Sequence, residues 1–208
     1  IKIVDEEGNV YNNAYSTSVR AYGMKALAAA SSSDEMKRLV VDMLNYGAEA
    51  QTKFSYNTAD LANNQLTEAH KALATGDVTC SNEQVKGKNY VGTNLALEDK
   101  IELNLFFANV TTDMYAEVSY TDFKGNVVSY TVDGEDFALY AGTTYKVPVS
   151  RIVLADTFSP VTVTVYNADD TVHAAGTDSV ESYIARAGEN ALNAAIMKFA
   201  TSALNYLT

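Results

Sequence analysis

Apolar and polar positions follow one period at the two ends of the chain and another in its centre. From Ile1 to Tyr11 short apolar runs flank Asp5-Glu6-Glu7-Gly8-Asn9, residues that accept tight-turn geometry, so a hairpin is expected. Ser16, Thr17 or Ser18 can cap the next helix, where Val19, Tyr22 and Leu27 take helical spacing until Ser31-Ser32-Ser33 interrupts them. Asp34 can cap a second helix running to about Phe54. Its Met36, Leu39, Val40, Met43, Leu44, Tyr46, Gly47 and Ala50 form one apolar stripe, which marks a buried face. A third helical stretch, about Thr67 to Ala74, stops near Gly76.

Between Leu95 and Tyr166 the period falls to two. Ile101, Leu103, Leu105 and Phe107 alternate with their neighbours, and Tyr115–Tyr120, Val127–Val132, Tyr145–Val149 and Val161–Tyr166 read as further strands. Asp133-Gly134 and Ser159-Pro160 are among the turn signals between them. At least five strands favour an antiparallel sandwich.

The C-terminus then repeats the N-terminus. Val165-Tyr166-Asn167-Ala168-Asp169-Asp170-Thr171-Val172 matches Ile3 to Val10, and Asp178-Ser179-Val180-Glu181-Ser182-Tyr183 matches Thr17 to Tyr22. Ile196, Phe199, Ala200, Ala203 and Leu207 can be laid on Met43, Tyr46, Gly47, Ala50 and Phe54. Such self-similarity indicates a duplicated supersecondary unit. The expected fold is therefore α+β, with a central antiparallel sandwich-like region flanked by two similar units, each a hairpin plus a helix pair. One module over 1–208 is expected, made of a hairpin and helical part (1–76), a mainly β part (95–166) and the C-terminal repeat (163–208).

Charge narrows the partners. Twenty-six acidic against 15 basic residues give a formal net charge of -11, a field that repels phosphate backbones and anionic surfaces, so nucleic acid is not an expected partner. No apolar run reaches the roughly 20 residues that cross a bilayer, which argues against membrane insertion. Ile1-Lys2-Ile3-Val4-Asp5 lacks the apolar centre of a signal peptide, so the chain reads as a module from a longer polypeptide.

Candidate chemistry is sparse. Cys80 with His70 or His173 could form a thiol and base, but the surroundings of Cys80 match no peptidase pattern, and an incidental thiol with surface histidines explains them better. Glu98, Asp99 and Glu102 could be drawn into a glycosidase pair, although solvated charges at a strand start explain them more simply. The acidic turns at Asp5–Asn9 and Asn167–Asp170 offer oxygen ligands that calcium accepts, without EF-hand spacing. No catalytic residue, cofactor or metal site is assigned. The 14 tyrosines are a better clue, since an exposed ring covers the apolar face of a sugar. Tyr115, Tyr120, Tyr130, Tyr140 and Tyr145 in the β region are the candidate glycan contacts, with packing between layers as the alternative. Tyr22, Tyr46, Tyr183 and Phe199 hold paired places in the two repeats and are expected to pack.

Four stretches carry a wider resemblance: Ser18-Val19-Arg20-Ala21-Tyr22, Met43-Leu44-Asn45-Tyr46-Gly47-Ala48-Glu49-Ala50-Gln51, Tyr56-Asn57-Thr58-Ala59-Asp60-Leu61-Ala62-Asn63, and Val91-Gly92-Thr93-Asn94-Leu95-Ala96-Leu97-Glu98-Asp99-Lys100. Through them the chain resembles an uncharacterised module of large secreted or surface proteins of anaerobic Gram-positive bacteria. The resemblance implies a secreted or cell-surface setting and a non-catalytic accessory role. The expected partners are neighbouring modules of the same polypeptide, with a surface protein or, through the tyrosines, a glycan as ligand.

Overall fold

Local capping signals set the helix ends in the computed structural model, which describes residues 3–4, 6–8, 10–12, 18–97, 100–188 and 190–208. The chain divides into two units, Ile1–Ala74 and Thr75–Thr208. In the first, β1 (Ile3–Val4) and β2 (Val10–Asn12) pair antiparallel, with Ile3 opposite Asn12 and Val4 opposite Val10. Asp5 and Asn9 of the expected turn, and the alternative caps Ser16 and Thr17, lie outside the described residues.

Helix α1 (Val19–Ala28) starts at Ser18, whose side chain accepts the Ala21 amide at 3.0 Å. Helix α2 (Asp34–Lys53) is capped by Ser33, not by Asp34 as expected: the Ser33 hydroxyl takes the Met36 amide at 3.2 Å. Asp34 and Glu35 instead occupy the first turn, where negative charge opposes the positive end of the helix dipole. Leu27, Val40, Val41, Leu44 and Leu66 form the core of this unit, with Met24, Met36, Met43 and Leu73 against it. Gly23 makes the α1–α2 approach possible, since a Cβ there would lie 3.0 Å from Val40 Cγ1. The third helix, α3 (Glu68–Lys71), is a single turn, shorter than the Thr67–Ala74 stretch expected.

The second unit holds β3 (Val85–Lys86), β4 (Tyr90–Leu97), β5 (Ile101–Phe107), β6 (Tyr115–Thr121), β7 (Val127–Asp133), β8 (Ala138–Ala141), β9 (Thr144–Ile152), β10 (Val161–Tyr166) and β11 (Val172–Asp178). Helices α4 (Val180–Ala187) and α5 (Ala191–Leu207) follow. Two antiparallel sheets result, in the orders β3-β11-β10-β6-β7 and β4-β5-β9-β8. The fold is α+β. Inward positions alternate as the pattern requires: Ala116, Val118 and Tyr120 on β6, Val161, Val163 and Val165 on β10, and Val147 and Val149 on β9 are all buried. On β5 both faces are covered, because Asn104 and Phe106 are buried along with Leu103, Leu105 and Phe107.

The chain crosses between the sheets at Gly87–Asn89, where only glycine fits: a Cβ on Gly87 would meet the Ala175 carbonyl oxygen at 2.4 Å. Among the described residues no helix is long and apolar enough to cross a membrane.

The order hairpin, short helix, long helix occurs twice, as β1-β2-α1-α2 and β10-β11-α4-α5. The caps recur with it, because Ser179 accepts the Ser182 amide at 3.0 Å just as Ser18 accepts that of Ala21. Burial does not recur. Val180 is 1% exposed while its counterpart Val19 is 66% exposed. Tyr22 is also 66% exposed, which corrects the expectation that it packs. β11 pairs with β3 and β10 with β6, whereas β1 and β2 form a two-stranded sheet.

Candidate functional site

The alternation that buries one face of β6 and β10 turns Tyr115, Glu117, Ser119, Thr162, Thr164 and Tyr166 to the other. Register places Tyr166 directly opposite Tyr115. Their rings stack with centroids 5.1 Å apart and planes 14° from parallel. Each hydroxyl donates to a carboxylate: Tyr115 to Asp170 Oδ1 at 2.9 Å, and Tyr166 to Glu117 Oε2 at 3.2 Å. The Asp170 bond is the main reason the Tyr115 hydroxyl is held above the usual tyrosine range. Desolvation, followed by the Glu117 bond, does the same for Tyr166.

Asp170 is aimed by the β10–β11 turn. It adopts a left-handed backbone, φ 63°, a conformation that Asp and Asn tolerate better than most residues. Asn167 Nδ2 donates to Thr171 Oγ1 at 2.8 Å, and Asp169 Oδ1 accepts the Thr171 hydroxyl at 2.6 Å, so the turn is closed by its own side chains. This is the acidic turn weighed above as a calcium site. Among the described residues no group of three or more His, Cys, Asp or Glu side chains is placed to hold a metal ion. Nor, among them, does a lysine, arginine or histidine form an ion pair with Glu117 or Asp170.

The five candidate tyrosines do not share a surface. Only Tyr115 takes the outward place just described. Tyr120 is buried at 6% exposure and donates to the Arg151 carbonyl at 2.9 Å. Tyr130 sits opposite Val118 on the inward face, with the Arg151 guanidinium 4.0 Å from its ring centroid, and burial pushes its hydroxyl up to about 12. Tyr140 and Tyr145 belong to the other sheet. Tyr140 is exposed and meets the Phe106 ring edge-on at 4.8 Å, while Tyr145 pairs with Phe107 across β5 and β9. The residue missed from sequence is Tyr166, whose outward place was implied by the Val161-Thr162-Val163-Thr164-Val165-Tyr166 alternation.

A second polar constellation is buried. The Asp178 carboxylate, with no exposed side-chain surface, pairs with Arg186. It also accepts Gln84 Nε2 at 2.7 Å, the Ser179 amide at 2.9 Å and the Tyr90 hydroxyl at 3.4 Å. Arg186 also donates to the Ser182 hydroxyl, which in turn donates to the Glu83 carbonyl at 2.6 Å. Burial pushes Tyr90 up to about 12, and its hydroxyl further contacts Thr93. The cluster buckles residues 83–84 and β4 to the end of β11 and to α4.

The second unit also holds a groove of about 680 Å³, lined by Asp77, Thr79, Cys80, Ile184, Asn193 and Met197 among others. Burial, and secondarily the Glu181 charge, push the Cys80 thiol up, the reverse of nucleophile activation. The His173 ring is engaged instead by Asn89 at 3.3 Å and the Ala108 carbonyl at 3.2 Å. Of the strand-start carboxylates, Glu98 and Asp99 lie outside the described residues, and Glu102 stands 3.4 Å from both Lys100 and Lys146.

In the first unit, three of the resemblance-bearing stretches meet. Arg20 grips both Asp60 oxygens, at 2.6 and 2.8 Å, and reaches the Leu61 carbonyl at 3.2 Å. Hydrogen bonding to Arg20 holds the Asp60 carboxyl below its usual range. Gln51 donates to the Asn57 and Asp60 carbonyls at 3.2 Å and accepts the Ala62 amide at 2.7 Å. The loop so fixed passes through left-handed Ser55 and Asn57 and leaves Phe54 and Tyr56 exposed. Compared with known proteins, the chain matches no family model and no curated protein.

Proposed function

We propose that this chain is a non-catalytic accessory module of a secreted or cell-surface bacterial protein, and that it binds glycan through the outward face of the β3-β11-β10-β6-β7 sheet. The observation that carries this reading is the stacked Tyr115–Tyr166 pair, which stands among hydroxyl side chains and carboxylates on the outward face of the sheet. Aromatic rings receive the apolar face of a pyranose while nearby polar groups bond its hydroxyls. Calorimetric titration against a panel of polysaccharides tests it. Saturable binding should be lost in Tyr115→Ala and Tyr166→Ala with little change in Tm, and retention of affinity in both variants overturns the assignment.

A separate observation favours a protein-interaction role for the first unit: Val19, Tyr22, Phe54 and Tyr56 are all exposed around a loop that Arg20 and Gln51 hold rigid. Under that reading, capture of neighbouring modules of the parent polypeptide depends on Tyr22 and Tyr56 and is indifferent to Tyr115.

The absence of catalysis is part of the proposal. It is supported by the raised Cys80 thiol and by the ionic partners of Glu102 and Asp178. Turnover of a peptide or glycan by the purified chain, abolished by one substitution, would falsify it.

A further inference from the structure

We infer that the Tyr115–Tyr166 site selects amine-bearing saccharides, such as oligomers of unacetylated amino sugars, over neutral and acidic ones. The inference rests on the glycan reading above and adds the charge of the ligand. Its ground is the pairing of two stacked rings with two carboxylates that no cation neutralises among the described residues.

Glu117 and Asp170 each receive one tyrosine hydroxyl, and a carboxylate has further lone pairs to offer. A tyrosine hydroxyl neutralises no charge, so both anions present their full field beside the rings. An ammonium group approaching this edge gains charge-assisted hydrogen bonds and an attraction to the ring faces. A uronate or sulfate meets like charge instead, against a chain whose net charge is already -11.

The surroundings favour a sugar over a cationic peptide. Neighbouring outward positions on the same sheet include Ser119, Thr162, Thr164 and Thr177, with Thr162 and Thr177 joined hydroxyl to hydroxyl at 2.9 Å, and exposed Val85, Val127 and Val172 lie on the same face. The hydroxyl row exchanges hydrogen bonds with a polyol edge and offers no pocket for a long side chain. Asp170 also stands on a turn that its own neighbours close, so the charge is held in place before any ligand arrives.

The experiment titrates the full chain with β-linked glucosamine oligomers, the same oligomers fully N-acetylated, uronic-acid oligomers, and a lysine oligomer of matched charge. The amine form should bind at least about tenfold more tightly than the acetylated form, a gap that narrows as salt is raised. Glu117→Gln and Asp170→Asn keep an acceptor for each tyrosine hydroxyl, so each variant should bind the amine form no more tightly than it binds the acetylated form, with Tm unchanged. Equal or tighter binding of the acetylated or acidic oligomers overturns the inference while leaving the glycan reading intact. Lysine oligomers binding as tightly as the amino sugars overturn it too, because charge alone would then suffice. Failure of every oligosaccharide to bind removes both the inference and the reading beneath it.

Discussion

Asp178 and Arg186 show how much a single side chain decides in this protein. Removing the cation in Arg186→Met strands a fully buried carboxylate, which should cost roughly 3 kcal/mol in urea unfolding, whereas Asp178→Asn, which keeps an acceptor, should cost less. Tyr90 and Tyr130, both pushed up to about 12 by burial, set an alkaline limit. Each hydroxyl keeps its proton longer in the folded chain than in the unfolded one. Their contribution is therefore fully present below about pH 10, where the unfolded tyrosines begin to ionise, and is lost as pH rises toward about 12. Urea melts across that window should show falling stability, and the double variant Tyr90→Phe with Tyr130→Phe should flatten the slope. Tyr115 and Tyr120 divide function from packing: Tyr120→Ala should cost roughly 3 to 5 kcal/mol because that ring is buried, while Tyr115→Ala should leave Tm nearly unchanged.

At the scale of elements, caps and close approaches were readable to different degrees. Ser18 and Ser179 cap equivalent helices with the same geometry, so alanine at either position should cost about 1 kcal/mol, seen as a lower urea midpoint. Gly176 is a different case. A Cβ there would fall 2.3 Å from a ring carbon of Tyr90, so Gly176→Ala should destabilise by about 1 to 3 kcal/mol through overpacking. Pairing it with Tyr90→Ala should recover part of that loss, a coupling that a double-mutant cycle measures. The Gly176 contact joins β11 to β4 across the two sheets, and alternation alone says nothing about which strands will face each other. The short strands β3 and β8 escaped the sequence reading because two to four residues hold too little alternation to register, and β4 begins at Tyr90, ahead of the Leu95 start expected.

Over the whole molecule, the net charge of -11 should keep the chain from being retained on a sulfate or phosphate polyanion even at low salt; firm retention would contradict the electrostatic case against nucleic-acid partners. The α+β class, the hairpin-and-helix repeat and the alternation of β6 and β10 were fixed by the sequence itself, because periodicity, caps and turn residues act over a few positions. Parity along one strand was legible as well: Tyr115 and Tyr120 stand five places apart on an unbroken strand and must face opposite sides. Tertiary structure decided the rest. Tyr115 meets Tyr166 because β6 pairs with β10 across an intervening run of three strands, a non-local pairing that no local pattern encodes. Val19 and Val180 occupy the same place in the repeat, yet one is open and the other buried, because burial depends on which strands lie beside a helix and not on the helix's own residues.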